Sequence, residues 1–251
     1  MLEGNTKLYH STLVLDFDGT VARTFERSPN GVGVNEAYEA AIKEFFGKSA
    51  LTHYLETGGL MNRSPREVVI ALQEAGFQPT DNTSELTNVL VNFKISCLLG
   101  EVGQRLTDGE IWPRLTPGFG RFWETLRVKT LMYTGILSSG HRAFIERTFE
   151  VHGLELPDVL VTDDELRALP TPLSKPDPAL LTEVDKAAGF TLRRSTTCFV
   201  GDDLEKDGKF AKNCGIDFFH LVPPGSTLLR ERKNTFENWS DLGRLILRYQ
   251  I

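Results

Sequence analysis

The chain has 251 residues, of which 40% are hydrophobic and 25% charged, so it can bury the core of one large domain or of a domain with a smaller insert. Its net charge of −6 argues against a basic face for nucleic acid, and its longest apolar runs are far shorter than the roughly 20 residues that span a bilayer. We therefore expect no nucleic-acid partner and no membrane partner.

The N-terminus and the cysteines indicate a cellular compartment. The first ten residues contain no apolar stretch after a basic start, as a secretory signal would, and we expect a cytoplasmic protein. The three cysteines, Cys97, Cys198 and Cys214, are widely spaced and form no CxxC pair. This pattern predicts small buried thiols rather than disulfides or a zinc site.

The first part of the chain reads as one strand followed by helices. Residues 12–17 (TLVLDF) are an apolar run that ends in Asp-Gly-Thr, which predicts a buried strand with polar residues at its carboxyl end. Apolar residues recur at helical spacing over residues 34–46, and residues 64–67 (SPRE) have the pattern of a capped helix start. With a further helix over 82–99, residues 21–112 are predicted to be largely helical.

After residue 116 the sequence pattern changes to short apolar strands that alternate with helices, which is typical of βαβ units and a parallel sheet. The predicted strands cover residues 130–137, 158–161, 196–200 and 217–222, and the predicted helices cover residues 141–152, 178–188, 205–214 and 235–247. We therefore predict an α/β fold with a doubly wound parallel sheet. Residues 1–20 and 113–251 form its core, and a helical module, residues 21–112, interrupts it.

Polar residues follow several of the predicted strands, and the carboxyl ends of parallel strands are where such sheets bind ligands. They are Asp16, Asp18, Ser138, Lys175, Asp202, Asp203 and Asp207. Crowded carboxylates repel one another unless a cation lies between them, and oxygen ligands with open positions suit Mg²⁺. A lysine in the same place fits a phosphate ester, because it balances charge on the phosphoryl oxygens.

These residue types predict nucleophilic catalysis at phosphorus. With a metal ion and Lys175 neutralising the phosphate, the carboxylate of Asp16 can attack and form an aspartyl-phosphate. Asp18, two residues later, can act as general acid towards the leaving oxygen and then as general base towards water. The expected substrate is a small phosphorylated metabolite, and the sequence gives no indication of the oligomeric state.

The same segments, in this order, resemble the four motifs of the haloacid dehalogenase superfamily. Residues 16–20 (DFDGT) match its DxDGT motif, and Asp202 with Asp207 match its GDxxxxD motif, while Ser138 and Lys175 stand at its second and third motifs. The resemblance implies a Rossmann-like core and a mobile helical cap over residues 21–112.

The resemblance also implies roles for individual residues. It implies direct Mg²⁺ contacts from Asp16 and Asp202, a contact from the main-chain carbonyl of Asp18, and support from Asp203 or Asp207. The residues expected around the phosphoryl group are Thr20, Ser138, Ser139, Gly140 and Lys175.

Two positions refine the resemblance. The dehalogenases and phosphonate-cleaving members lack an aspartate at the position of Asp18, so the chain is similar to the phosphatases and phosphomutases instead. Ser139 stands where many relatives have asparagine, which leaves open which of Ser138 and Ser139 contacts the phosphoryl group. Arg23 and Arg63 are candidates for substrate specificity.

Three functions are consistent with the motifs. The first is hydrolysis of a phosphomonoester, and the second is a sugar phosphomutase, in which the phosphoryl group passes to a second hydroxyl of the sugar rather than to water. The third is a non-catalytic binding module that keeps the fold.

Overall fold

The computed structural model describes residues 10–59, 64–78, 82–169, 171–231 and 233–247. The chain divides into two compact units, one formed by Met1–Arg23 with Arg114–Ile251 and the other by Thr24–Pro113. In the described residues, the first unit is α/β and the second is helical. The function of the second unit as a cap stays a prediction.

A parallel sheet forms the centre of the larger unit. In the described part of the chain its strands are β1 (Thr12–Leu15), β2 (Tyr133–Leu137), β3 (Val159–Val161), β4 (Thr197–Gly201), β5 (Asp217–Leu221) and β6 (Thr235–Phe236). Their spatial order is β3-β2-β1-β4-β5-β6, and every neighbouring pair is parallel. The chain order reverses between β1 and β4, and ligands bind at such a switch point in open α/β sheets. The predicted doubly wound α/β fold is confirmed.

Helices cover the sheet and build the second unit. They are α1 (Val34–Phe46), α2 (Lys48–Glu56), α3 (Pro65–Glu74), α4 (Thr83–Glu101), α5 (Phe119–Lys129), α6 (Arg142–Val151), α7 (Asp163–Arg167), α8 (Ala179–Ala188), α9 (Lys209–Cys214), α10 (Leu228–Glu231) and α11 (Trp239–Leu247).

Both faces of the sheet are buried, as expected for parallel strands that read as continuous apolar runs. One buried cluster joins Val14 of β1 and Phe199 of β4 to Val184 of α8 and Phe210 of α9. An aromatic cluster joins α5, α6 and α11, because Phe119 contacts the rings of Trp123, Phe149 and Trp239 at centroid distances of 5.0 to 6.3 Å. These two clusters hold the strands in place, so that their carboxyl ends form a fixed edge.

The helical unit has its own core, formed by apolar side chains of α1 to α4. The predicted helix over residues 34–46 is confirmed. So is the predicted start of α3, where the Ser64 hydroxyl accepts the amide of Glu67 and the Glu67 carboxylate accepts the amide of Ser64. These two bonds satisfy amides that have no partner inside the helix.

Some predicted elements differ from the structure. Residues 235–247 were predicted as one helix, but Thr235–Phe236 form the edge strand β6 and the helix begins only at Trp239. Pairing with β5 decides this, since Thr and Phe both favour strands and a partner strand is available. In residues 205–214, a π-helical turn precedes the short helix α9. The helix α5 was not predicted, although its buried aromatic residues have helical spacing.

Two expectations concern membranes and thiols. Across the described ranges, no helix combines the length and the apolar composition needed to cross a membrane. Cys97, Cys198 and Cys214 are unpaired, as predicted, but only Cys198 is buried and the other two are half-buried.

The aromatic cluster predicts a large stability effect at Phe119. Its side chain is fully buried, so Phe119→Ala should lower the free energy of unfolding by about 3–5 kcal/mol through lost burial and a residual cavity. Val128→Ala on the same helix is the matched control, because Val128 is 83% exposed and its truncation should change stability by no more than about 0.5 kcal/mol. Urea unfolding of both variants measures the difference, and equal stabilities would contradict this view of the core.

Candidate active site

The carboxyl ends of β1 and β4 bring three aspartates together. Asp16 follows β1, Asp202 follows β4, and Asp207 lies in the π-helical turn Leu204–Gly208. Each offers a carboxylate oxygen that lies within 4.8 Å of the others. Three negative groups at this spacing repel one another unless a cation lies among them. Of the five aspartates that the sequence assigns to a metal site, the structure places these three in one group.

Lys175, in the loop before α8, joins two of these aspartates. Its ammonium nitrogen lies 2.5 Å from Oδ1 of Asp16 and 2.6 Å from Oδ1 of Asp207, and its side chain is only 10% exposed. The same nitrogen lies 5.4 Å from the centre of the Phe199 ring, within the range of a cation–π contact. The ammonium group is therefore fixed at the carboxyl edge of the sheet.

Two glycines make room for the aspartates. A Cβ atom on Gly19 would lie 2.3 Å from Oδ2 of Asp202, and one on Gly201 would lie 2.2 Å from Oδ2 of Asp207. Gly19 also has a φ of +79°, which side chains other than glycine rarely adopt. The Asp-Gly and Gly-Asp pairs of the sequence, ordinary turn signals by themselves, are here required by the close approach of carboxylates.

The turn after β4 gives its two other aspartates different surroundings. Asp203 caps the π-helical turn, since its Oδ1 accepts the amides of Glu205 and Lys206 at 2.8 and 3.1 Å. Asp207 is buried, and its Oδ2 accepts the amide of Asp203 at 3.2 Å. The predicted metal role of Asp203 stays a prediction, and its carboxylate has a structural task in this turn. Single π-helical turns often occur at functional sites.

The loop after β2 carries the predicted phosphate contacts. Ser138 is 1% exposed and its hydroxyl accepts the amide of Gly140 at 2.8 Å, whereas Ser139 is exposed. A Cβ atom on Gly140 would lie 3.1 Å from both the Ser138 hydroxyl and Oδ2 of Asp18. The Asp18 carboxyl group and the Ser138 hydroxyl therefore both lie beside Gly140.

Thr20 bonds to the acidic group itself. Its buried hydroxyl lies 3.1 Å from Oδ1 of Asp202 and 3.4 Å from Oδ2 of Asp16, and it donates to these carboxylates. Its carbonyl accepts the hydroxyl of Thr116, which in turn accepts the indole N–H of Trp239. This chain of hydrogen bonds ties the loop after β1 to the aromatic core. The predicted contact of Thr20 with phosphate stays a prediction.

The ionisation of the cluster reflects burial and crowding. Burial raises the pKa of Asp16 well above its usual range; Lys175 opposes this shift, and the neighbouring aspartates add to it. Burial by itself would lower the pKa of Lys175, but the carboxylates of Asp16 and Asp207 outweigh it and raise that pKa. Asp202 is partly accessible to solvent. Burial of its carboxyl group, and then the negative charge of Asp207, nevertheless raise the pKa of Asp202 to about 6. Such shifts are expected where carboxylates share a buried site.

The two specificity candidates have different outcomes. Arg23 is half-buried, and its amide donates to the carbonyl of Arg114, within the short pairing of the two segments that flank the helical unit. Arg63 lies outside the described residues. A contact of either residue with substrate stays a prediction.

One polar residue near the site was not predicted from the sequence. His220 of β5 is buried, and its Nε2 lies 3.0 Å from the main-chain oxygen of Asp202. A single histidine in the otherwise apolar end of a predicted strand (DFFHL) was the available signal, because a buried polar side chain requires a hydrogen-bond partner.

Comparisons with known proteins agree with this geometry. The family model described as haloacid dehalogenase-like hydrolase matches residues 10–215. By sequence, no curated protein matches the chain.

Solved structures show the same fold at low sequence identity. A β-phosphoglucomutase from Clostridium difficile is similar with a TM-score of 0.62 and 11% identity, covering 95% of this chain and 96% of its own. CbbY from Rhodobacter sphaeroides, in complex with xylulose-(1,5)bisphosphate, has a TM-score of 0.58 and 16% identity over 93% and 96%. The putative hydrolase YfnB from Bacillus subtilis, bound to magnesium, has a TM-score of 0.57 and 15% identity over 95% and 99%.

The raised pKa of Asp202 predicts a pH-dependent stability. A carboxyl group with a pKa of 3.8 in the unfolded chain and about 6 in the folded chain stabilises the fold below about pH 4, and this contribution is lost as the pH rises through 6. Asp202→Asn removes this titration. In EDTA, the Tm of the native protein should therefore fall relative to that of Asp202→Asn between about pH 4 and about pH 7. Thermal melts test this with Asp241→Asn as the charge control, and a Tm difference that is independent of pH would contradict it.

Proposed function

This chain belongs to the haloacid dehalogenase-like hydrolase family, and on that premise we propose that it is a Mg²⁺-dependent phosphohydrolase that cleaves a small-metabolite phosphomonoester through an aspartyl-phosphate on Asp16. The observation that carries the proposal is the position of Lys175, which contacts Asp16 and Asp207 beside the third carboxylate, Asp202. A site that only stores metal ions does not require a fixed ammonium group. A site that binds a phosphoryl group does, because the ammonium balances the negative charge on the equatorial oxygens.

The acidic group fits a magnesium ion by its donor chemistry. Asp16, Asp202 and Asp207 offer carboxylate oxygens within 4.8 Å of one another, and hard oxygen ligands are those that Mg²⁺ prefers. Burial and then the neighbouring carboxylates raise the pKa values of Asp16 and Asp202, and a cation among the three aspartates would oppose both shifts. When bound, the ion supplies positive charge that favours the ionised carboxylates and offsets the charge of the phosphate.

In the first step the Asp16 carboxylate attacks phosphorus. A P–O bond to Asp16 forms, the ester P–O bond breaks, and the leaving oxygen takes a proton from the Asp18 carboxyl group. Asp18 and the Ser138 hydroxyl both lie beside Gly140. This placement supports the role of Asp18, because the acid must protonate the leaving oxygen close to the group that binds the phosphoryl oxygens. Lys175 and Ser138 hold the phosphoryl oxygens in this proposal.

In the second step water replaces Asp16 at phosphorus. The Asp18 carboxylate takes a proton from the water, the new P–O bond forms, and the acyl-phosphate P–O bond breaks. Inorganic phosphate leaves and the Asp16 carboxylate is restored. One acid–base group thus serves both steps and returns to its starting protonation state.

Substrate choice, partners and location are further parts of the proposal. We propose that the helical unit Thr24–Pro113 acts as the cap and that Arg23 and Arg63 contact the part of the substrate that leaves. The protein is proposed to act in the cytoplasm on a small phosphorylated metabolite, without a nucleic-acid or membrane partner.

A phosphomutase is the second candidate, favoured by the fold shared with a β-phosphoglucomutase. In that reaction the aspartyl-phosphate gives its phosphoryl group to a second hydroxyl of a sugar instead of to water. The two activities differ in product, since only hydrolysis releases inorganic phosphate. Incubation with a panel of sugar phosphates, followed by phosphate assay and by separation of isomers, distinguishes them.

Removal of the nucleophile is the direct test of the mechanism. Asp16→Asn should lower the Mg²⁺-dependent hydrolysis of an aryl phosphate by at least about a thousandfold, because an amide cannot form the acyl-phosphate. Asp241→Asn, on the surface of α11, is the matched control and should retain the native rate. Equal rates in the native protein and Asp16→Asn would refute the assignment.

Trapping separates an enzyme from a binding module that kept the fold. With Mg²⁺ and beryllium fluoride, the native protein should form an adduct at Asp16 that stabilises it against thermal unfolding, and Asp16→Asn should not. A native protein that neither forms the adduct nor hydrolyses phosphate esters would instead favour the binding module.

A further inference from the structure

His220, on strand β5, contacts the backbone of Asp202 just after the neighbouring strand β4. In the parallel register of β4 and β5 it lies opposite Gly201, the residue before Asp202. Its side chain is 6% exposed, and its Nε2 lies 3.0 Å from the main-chain oxygen of Asp202. The ring stacks on Phe218, two residues earlier on the same face, at a centroid distance of 5.8 Å and an interplanar angle of 25°. The imidazole is therefore held in one place.

The contact defines the state of the ring. A carbonyl oxygen only accepts hydrogen bonds, so Nε2 carries the proton and donates it. The other nitrogen, Nδ1, is buried and has no hydrogen-bond partner among the described residues. A proton on Nδ1 would be buried without an acceptor, and the neutral Nε2–H tautomer avoids this cost.

Thr20 and His220 contact different groups of Asp202. Thr20 donates to the Asp202 carboxylate at 3.1 Å, and His220 donates to the Asp202 carbonyl at 3.0 Å. The backbone leaves β4 at this residue and enters the π-helical turn that carries Asp207. The direction of the Asp202 peptide therefore affects where both carboxylates point.

We propose that His220 is a positioning residue of the metal site, whose Nε2–H bond to the Asp202 carbonyl fixes the Asp202 carboxylate in the geometry that binds the divalent ion. The inference rests on the proposed function, because it takes Asp202 as a metal ligand. Groups that orient the ligands of a metal set its affinity without touching the ion. An apolar side chain at position 220 would fill the same space but leave the carbonyl without this donor.

Two substitutions separate the donor from the packing of the ring. His220→Phe keeps an aromatic ring against Phe218 and removes the donor, whereas His220→Gln places an amide N–H near the position of Nε2. Calorimetric titration of the full chain with Mg²⁺ alone, without substrate, measures the Kd. The expected result is a Kd about tenfold higher in His220→Phe and within about threefold of the native value in His220→Gln.

Kinetics supply a second readout. At saturating Mg²⁺, both variants should hydrolyse an aryl phosphate with kcat and KM within about twofold of the native values, since the bond acts on metal affinity and not on the reacting atoms. In His220→Phe, only the Mg²⁺ concentration needed for half-maximal rate should rise.

Each outcome has a separate meaning. A native Kd in His220→Phe, or an equal rise in both variants, would overturn the positioning role. A native protein that binds no Mg²⁺ would overturn this inference together with the proposed function. A third outcome combines a higher Mg²⁺ Kd in His220→Phe than in the native protein with unchanged phosphatase activity in Asp16→Asn. It would support the positioning role and contradict only the proposed chemistry.

The tautomer provides a test that needs no variant to fold. Nitrogen-15 chemical shifts of the histidine rings in the native protein report which nitrogen carries the proton. An Nε2–H signal for His220 supports the bond to Asp202, and a ring protonated only on Nδ1 would overturn it.

Discussion

The buried contact of Lys175 with Asp16 and Asp207 is the interaction on which the rest of the site depends. Burial of a charged group is costly unless an opposite charge accompanies it, and loss of one partner leaves the other without compensation. The three residues come from the loop after β1, the loop before α8 and the turn after β4. The ion pairs therefore connect three segments that lie far apart in the sequence, at the switch point of the sheet.

The same contact leaves the cluster with more carboxylates than cations. One ammonium group lies beside three carboxylates, and burial together with the neighbouring carboxylates raises the pKa values of Asp16 and Asp202. The Thr20 hydroxyl and the imidazole of His220 donate hydrogen bonds to Asp202, and two glycines leave space for the carboxylates. In the proposed function, a divalent ion balances the remaining negative charge of the aspartates.

The local patterns of the sequence succeeded where short-range chemistry decides the outcome. The periodicity over residues 34–46 and the capping pattern at Ser64 are properties of a few adjacent residues, and both elements formed as predicted. The prediction of one helix over residues 235–247 was wrong, because a long-range contact decides the structure there. Its first two residues pair with β5 as an edge strand, and helical periodicity carries no information about a free strand edge elsewhere in the chain.

The fold class and the residue types of the site could be predicted from the sequence, because buried parallel strands must be apolar and polar groups after them collect at one edge. The specific contacts of those groups depend on the three-dimensional structure: Lys175 lies between Asp16 and Asp207, Asp203 caps its own turn, and Ser138 is buried beside an exposed Ser139. It also brought His220 to the carbonyl of Asp202. These assignments depend on strand register and on distances of a few ångströms between residues distant in sequence, and no local pattern encodes them.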